Sequence, residues 1–463
     1  MKVAAPLCVL ALAACTVGPN YRPPEAGALA VPDSYYGREA QPAPAELARW
    51  WERFEDPLLT RLIGEASAGN LDLAQAAARL VQARESLVQA RAGLVPQAGA
   101  SAGAGRDFGP GDDRTSFSLG ADASWEVDLF GRIRRGIEAA GADAEGVHYD
   151  REALRVAIAA EVATNYIQAR LAQDRLALAR DTLAIADDNL QIAQWRVEAG
   201  LVSSLDSEQA RASRAQTAAS IPNIENAFTS ATYRLAVLTG RAPGALTAEL
   251  TEARPIPKGP ADVATGIPAD TLRQRPDVRA AERSLAAATA RIGVAQAQLY
   301  PALRLSGNIG TSAFSLGGLF DAITGGIFSG LSQTLFDGGR LRSQVRSQQA
   351  AADGALAAYR QSVLTSLEDV ENALLALRSA RERQVQFAIA LEAATNSTIL
   401  ARIQYRSGLT DFQQLIEAER SLLSARDGLA NSRGDEAFAL VQLYRALGGG
   451  WDPAAAPDIG RSG

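Results

Sequence analysis

Between residues 115 and 128 apolar and polar residues alternate without a break. Phe117, Leu119, Ala121, Ala123, Trp125 and Val127 fall on one side, and Ser116, Ser118, Gly120, Asp122, Ser124, Glu126 and Asp128 on the other. Successive side chains of an extended chain point to opposite faces, so this period of two predicts a strand with one apolar and one polar face. About ten tilted residues cross a bilayer, so the stretch is long enough for a transmembrane strand. Leu303, Leu305 and Ile309 against Arg304, Ser306 and Asn308 repeat the pattern, with a partner expected near 326–336. The stretch 98–105, nearly all Ala, Gly and Ser, is read as the partner of the first strand, and 107–114 and 312–325 as the exposed loops of two hairpins. On this reading Asp122, Glu126 and Asp128 face a lumen. Four strands cannot close a barrel, and an open edge is not tolerated in lipid. Several chains must therefore pool their strands, and three copies would supply an even dozen.

A second pattern takes over at residue 132, and no Pro interrupts it up to Ala199. At 1.5 Å rise per residue this predicts a helix on the order of 100 Å long. Leu176, Leu183, Leu190 and Val197 recur every seventh residue, and so do Leu171, Leu178, Ile185 and Ile192. Residues two apart lie about 200° around a helix, so the two seams sit on opposed flanks. Ala172, Ala179, Ala186 and Ala193 fill a third line, and Asp174, Asp181 and Asp188 mark a polar stripe. A two-stranded coiled coil needs one seam. Two seams imply a neighbour on each side, which is how a wall or tube of helices is built.

The layout occurs twice. Leu94, Val95 and Pro96 return as Leu299, Tyr300 and Pro301; Leu129, Phe130, Gly131 and Arg132 as Leu335, Phe336, Gly339 and Arg340; Gly200 and Leu201 as Gly408 and Leu409. The chain divides into a leader at 1–14, a first repeat at 15–240 (strands about 98–128, long helices about 131–238), a Pro-rich linker at 241–269, a second repeat at 270–449 (strands about 302–336, long helices about 338–447) and an irregular tail at 450–463. The expected fold class is mostly α with transmembrane β.

Lys2 and the apolar run 3–13 form a secretory leader too short to span a bilayer as a helix. Leu12, Ala13 and Ala14 before Cys15 resemble a lipobox, which predicts cleavage before Cys15 and a covalent lipid on it. Cys8 would leave with the leader, so no thiol remains for a disulfide, a metal or a nucleophile. The formal net charge of −6 argues against a nucleic-acid binder. His148, the one histidine, stands in a helical context and is read as a packing or surface residue without a metal partner. No phosphate loop, nucleophile elbow or zinc-protease helix appears. The sequence is not read as an enzyme, and no cofactor beyond the lipid is expected.

Further runs carry a family resemblance: Val17, Gly18, Pro19, Asn20, Tyr21, Arg22 and Pro23; Trp50, Trp51, Phe54, Asp56, Pro57 and Leu58; Asn70, Leu71 and Asp72; and Arg275, Pro276, Asp277, Val278, Arg279, Ala280 and Ala281. With these the mature chain resembles TolC/OprM-type outer-membrane factors, in their NodT-like lipoprotein branch associated with resistance-nodulation-division pumps. The resemblance implies a homotrimer in which a twelve-stranded outer-membrane barrel continues into a periplasmic α-helical tunnel, an α-barrel. It also implies docking of a periplasmic adaptor that couples the tunnel to an inner-membrane pump, with Thr16 after the Cys favouring passage to the outer membrane. Ala199, Gly200, Leu201, Ser407, Gly408 and Leu409 match the hairpin tips to which adaptors dock. Tyr405, Asp411, Gln414 and Glu417 match the region where the family narrows its tunnel. Residues 50–69 and the linker match a belt around its middle. The function implied is a passive exit duct for drugs or other small molecules. A tethered periplasmic coiled-coil lipoprotein and a type I secretion channel are the competing readings. A spacer has no use for a lipid-facing strand, and the lipobox and the run 275–281 favour the drug-pump branch.

Overall fold

The computed structural model describes residues 16–29, 31–36, 47–109 and 114–453. The leader, Cys15 and most of the C-terminal tail lie outside the described residues.

Each predicted repeat forms the same order of elements, and the three longer helices of each match in length. In the first, α1 (Pro57–Gly69) and α2 (Leu71–Ala92) precede β1 (Gln97–Asp107) and β2 (Arg114–Val127), then α3 (Arg132–Glu198) and α4 (Ser204–Leu238). After the linker, which holds the short α5 (Thr247–Leu250), come α6 (Pro268–Gln274), α7 (Pro276–Ala297), β3 (Ala302–Ala313), β4 (Thr324–Ser332), α8 (Arg340–Arg406) and α9 (Phe412–Ala446). The two longest helices, α3 and α8, have 67 residues each. Their partners α4 and α9 have 35 each. At 1.5 Å per residue, α3 and α8 each run about 100 Å without a break. In the sheet-proximal half α2, α3, α7 and α8 pack side by side; in the distal half the order is α4, α3, α9, α8. The wall is therefore four helices wide at either level.

Within the chain the alanine line is the innermost of the three heptad lines on α3. Ala172, Ala179 and Ala193 are buried, whereas Leu176, Leu178, Leu183, Ile185, Leu190 and Ile192 are half-buried. Small side chains let neighbouring backbones approach, and the leucines on the flanks remain partly open to further neighbours.

The four strands form one antiparallel sheet in chain order. The β2–β3 pairing, from Phe117 opposite Ala313 to Val127 opposite Leu303, joins the two repeats. Residues directly opposite share a face. One face therefore carries Ala98, Ala100, Ala102 and Ala104, Phe117, Leu119, Trp125 and Val127, Leu303, Leu305 and Ile309, and Ile327 and Leu331. The other carries Ser101, Ser118, Asp122, Ser124, Glu126, Arg304, Ser306 and Asn308, with Phe328 as its one large apolar residue. Both outer strands, β1 and β4, have a free edge within this sheet.

Two expectations need correction here. Asp128 lies just past the end of β2, and its carboxylate accepts the N–H groups of Ile133 at 3.1 Å and Arg134 at 2.9 Å. It caps the long helix instead of facing a lumen. The last strand ends at Ser332, short of the predicted 336, because its partner β3 begins at Ala302 opposite Ser332 and offers no strand to pair beyond it; the chain then turns through Gly338 and Gly339, both at positive φ. There Asp337 caps α8 by accepting from Gly339 and Leu341, each at 2.9 Å.

The main core sits midway along the long helices. Trp50 stacks on Tyr444 with centroids 5.3 Å apart. Phe54, Leu59, Leu62 and Ile63 join Val162, Tyr166 and Ile167 of α3, Leu246, Leu250 and Ile256 of the linker, and Leu440 and Leu443 of α9. The belt expected from 50–69 and the linker is thus packed on the helices' midsection. Beside it Arg275, buried at the start of α7, pairs with Asp277 at 2.6 Å and Asp369 at 3.0 Å and donates to the Ala446 carbonyl at 3.1 Å. Burial alone would raise the Asp277 carboxyl, but Arg275 and the Val278 N–H hold it below the usual range. A depressed carboxylate contributes stability that is present above its unfolded pKa and lost as pH falls through the folded one. We expect Arg275→Met to cost roughly 1–2 kcal/mol at neutral pH: it removes both ion pairs, but the two carboxylates left behind are about half exposed and screened by water. The gap to wild type should narrow below about pH 4. Thermal unfolding by circular dichroism across pH checks both.

Candidate channel tips and closure

At the end of the wall far from the sheet, each repeat reverses direction in five residues. The first reversal runs from Ala199 to Ser203, the second from Ser407 to Asp411. Both use the same helix stop. Gly200 and Gly408 sit at φ +70° and +72°, a conformation that side-chain-bearing residues avoid. The next N–H then reaches back five residues: Leu201 donates to the Arg196 carbonyl at 2.9 Å, and Leu409 to that of Gln404 at 2.8 Å. This Schellman arrangement satisfies carbonyls that would otherwise be orphaned. Ser203 and Asp411 then cap the returning helices through Leu205 and Gln414. Leu201 and Leu409, 69% and 79% exposed, stand out at the two tips. Each hairpin thus ends in an exposed apolar side chain.

Just behind the tips lies a small core of Ala193, Ala210, Tyr405, Phe412 and Leu415. Tyr405 is enclosed by its own chain. Its ring meets Phe412 at 5.5 Å, and the Arg196 guanidinium lies over it at 4.4 Å while donating to its carbonyl at 3.1 Å. Burial raises the phenol above its ordinary value, against an opposing effect of Arg196. Arg196 thus ties the first tip to the second.

The four residues matched to a constriction therefore divide. Tyr405 is a packing anchor and Asp411 a helix cap. Gln414 and Glu417 are exposed and three residues apart on α9, so they share a face. Gln414 accepts from the Thr410 hydroxyl at 2.6 Å. Two residues beyond Glu417 stands a carboxylate that sequence reasoning passed over. Glu419 points inward, receiving Arg402 at 3.1 Å and Asn189 at 2.5 Å. Burial raises its carboxyl above the usual range despite those partners. A turn of about 200° separates positions 417 and 419, and the inward neighbours Leu415 and Ala418 were the signal that one of the two carboxylates is internal. Arg196 carried no sequence signal, because its partners lie two hundred residues away.

At the opposite end, Glu126 accepts from Arg132 at 2.8 Å where strand becomes helix, and Asp122 is exposed on the polar face. His148 is buried with neither ring nitrogen hydrogen-bonded, and burial lowers its pKa. It packs, as expected. No cluster of metal-ligating residues occurs among the described residues. No described helix is long and apolar enough to cross a membrane.

A two-faced sheet with open edges, continued directly into a helical wall, defines the class: a channel-forming subunit of the outer membrane that extends into the periplasm. The chain belongs to the outer membrane efflux protein family, which matches residues 62–241 and 267–449, one stretch in each repeat. It is 33% identical to nodulation protein T of Rhizobium leguminosarum bv. viciae, over 99% of this chain and 95% of that protein. It is 31% identical to outer membrane protein OprJ of Pseudomonas aeruginosa, over 100% and 98%. Among solved structures, the outer-membrane channel OprN is 36% identical, covering 94% of this chain and 100% of its own at a TM-score of 0.85. The open-state MtrE channel of Neisseria gonorrhoeae is 26% identical, covering 95% and 99%, at a TM-score of 0.83. The chain is an outer-membrane efflux channel protein.

Removing the Tyr405 ring should cost the tip core roughly 3 kcal/mol. We expect Tyr405→Ala to speed tryptic cleavage at Arg402 and Arg406 while leaving the far-UV circular dichroism almost unchanged. Equal cleavage rates in the two proteins would show that the ring does not hold the tips.

Proposed function

We propose that three copies of this chain close a twelve-stranded barrel and a helical tunnel that serves as the passive exit duct of a tripartite efflux system. The carrying observation is the four-stranded sheet with one apolar face and two free edges. In lipid such edges must be paired, and β4 of one copy against β1 of the next pairs them all. The helices offer a matching open seam: Val385, Ile389, Ile399 and Ile403 of α8 are 57%, 59%, 53% and 58% exposed along one stripe. A neighbouring copy's helices would cover it.

The tips at 199–201 and 407–409 receive a periplasmic adaptor, which links the duct to an inner-membrane resistance-nodulation-division pump. Energy comes from that pump. Gln414 and Glu417 ring the lumen near the tips, and Arg196 holds the closed packing through Tyr405. Relatives named for export of pyoverdine and efflux of toluene have 32% and 31% identity to this chain, so a shared duct serves unlike cargoes. The cargo here is a small molecule chosen by the pump.

Cys15 carries the lipid. Support comes from the residues after it. A Cβ on Gly131, which opens α3, would meet the Thr16 side chain, and the Val17 N–H donates to the Phe130 carbonyl at 3.1 Å. Arg135, buried, donates to the carbonyls of Val17 at 3.2 Å and Gly18 at 3.1 Å and to the Asn20 side chain at 2.6 Å. The segment is fastened where β2 leaves the membrane, the level at which an acyl chain would enter it.

Electron microscopy of the detergent-purified lipoprotein should show three-fold particles with a hollow stalk; a solid rod or another symmetry overturns the assembly. In planar bilayers Arg196→Ala should raise conductance several-fold, and Glu417→Ala should weaken cation preference. Unchanged traces for both would remove these residues from the closure.

A further inference from the structure

Between β3 and β4 the chain from 314 to 323 is unusually apolar for a loop at a barrel's outer rim. Leu316, Phe320 and Ile323 are 66%, 72% and 61% exposed, and Asp321 is the one charge between Thr311 and Thr324. The register shows which way the loop leans. Thr311 lies opposite Leu119 and Ala313 opposite Phe117, so both belong to the apolar face. The Thr311 hydroxyl donates to the Leu319 carbonyl. A Cβ on Gly318 would lie 3.5 Å from that of Ala313. Residues 318 and 319 therefore rest on the apolar side of the sheet, not over the mouth of the lumen. The loop also satisfies part of its own backbone: Gly318 donates to Ser315 and Asp321 to Gly318, both at 3.2 Å, around the short 3-10 turn Leu316–Gly318. A loop leaving water needs such internal bonds.

We propose that this loop is a membrane-embedded collar: it folds outward and inserts Leu316 and Phe320 among the acyl chains of the outer leaflet, extending the lipid-facing band of the sheet. Its occupant is lipid because the surface is continuous with the apolar face of β2 and β3, which the barrel turns to the membrane. The pore mouth is thereby left uncovered by this loop, and the collar fixes the height and tilt of the barrel in the bilayer. The inference rests on the strands being transmembrane.

The test uses single-cysteine variants of the full lipoprotein in phosphatidylcholine vesicles, labelled with bimane and challenged with a doxyl-labelled lipid and with aqueous iodide. Leu119→Cys reports the lipid face and Ser118→Cys the water-filled face. Leu316→Cys and Phe320→Cys are expected to follow Leu119→Cys, with at least half its doxyl quenching and little effect of iodide. Iodide quenching equal to that of Ser118→Cys would place the loop in water and overturn the collar. Protection from both quenchers would place it against a neighbouring subunit and overturn it equally. Should Leu119→Cys itself escape the doxyl lipid, the transmembrane assignment fails and the collar with it, a result distinct from failure at 316 and 320 alone.

Discussion

The structure depends on one constraint: a backbone polar group inside a bilayer must be hydrogen-bonded to something other than water. A single chain supplies four strands and leaves two edges unsatisfied. Assembly is therefore a condition of entering the membrane at all, not a later elaboration. The small residues of β1 fit this role. From Ala98 to Gly105 it carries only alanine, glycine and one serine, so nothing bulky along that stretch hinders an approaching neighbour strand. Duplication serves the same end, since each repeat contributes one hairpin and the β2–β3 ladder joins the two without a free edge between them.

Closing the sheet would be of little use if the helices could pivot freely beneath it. Each long helix is instead anchored at the strand's exit by a carboxylate cap, Asp128 in the first repeat and Asp337 in the second. A glycine at positive φ follows each cap and turns the chain, Gly131 and Gly339. The N-terminal segment is strapped over the first of these junctions by Arg135. Strand, helix and strap thus form one joint, and a 67-residue helix transmits its orientation over about 100 Å to the tips.

Much of this was legible because it is periodic. The alternation along β2, the heptads of α3 and the repeated Gly-Leu stops are local signals, and the elements fall within a few residues of where those signals place them. What was not legible is non-local. Asp128 continued the alternation by sequence, yet the nearby helix start offered its carboxylate better partners than a lumen. Arg196, Asn189 and Arg402 acquire meaning only through Tyr405 and Glu419, which the fold brings beside them. The outward lean of the 314–323 loop likewise depends on register, which is fixed by pairing with β2 and not by the loop's own residues.

The distribution of packing along the wall explains where motion can occur. The midsection is held by aromatic side chains, a large apolar cluster and the Arg275 ion pairs. The tips are held by five buried residues and one guanidinium spanning the two hairpins. Elements that must open are drawn from the least stable parts of a structure. On the proposed reading, a duct rigid at its membrane joint and its belt and more lightly packed at its far end would yield first at the tips, where Leu201 and Leu409 would meet the adaptor. A partner binding the splayed tips more tightly than the closed ones would shift that balance by its difference in affinity alone. Such a shift would draw on the partner's binding free energy alone.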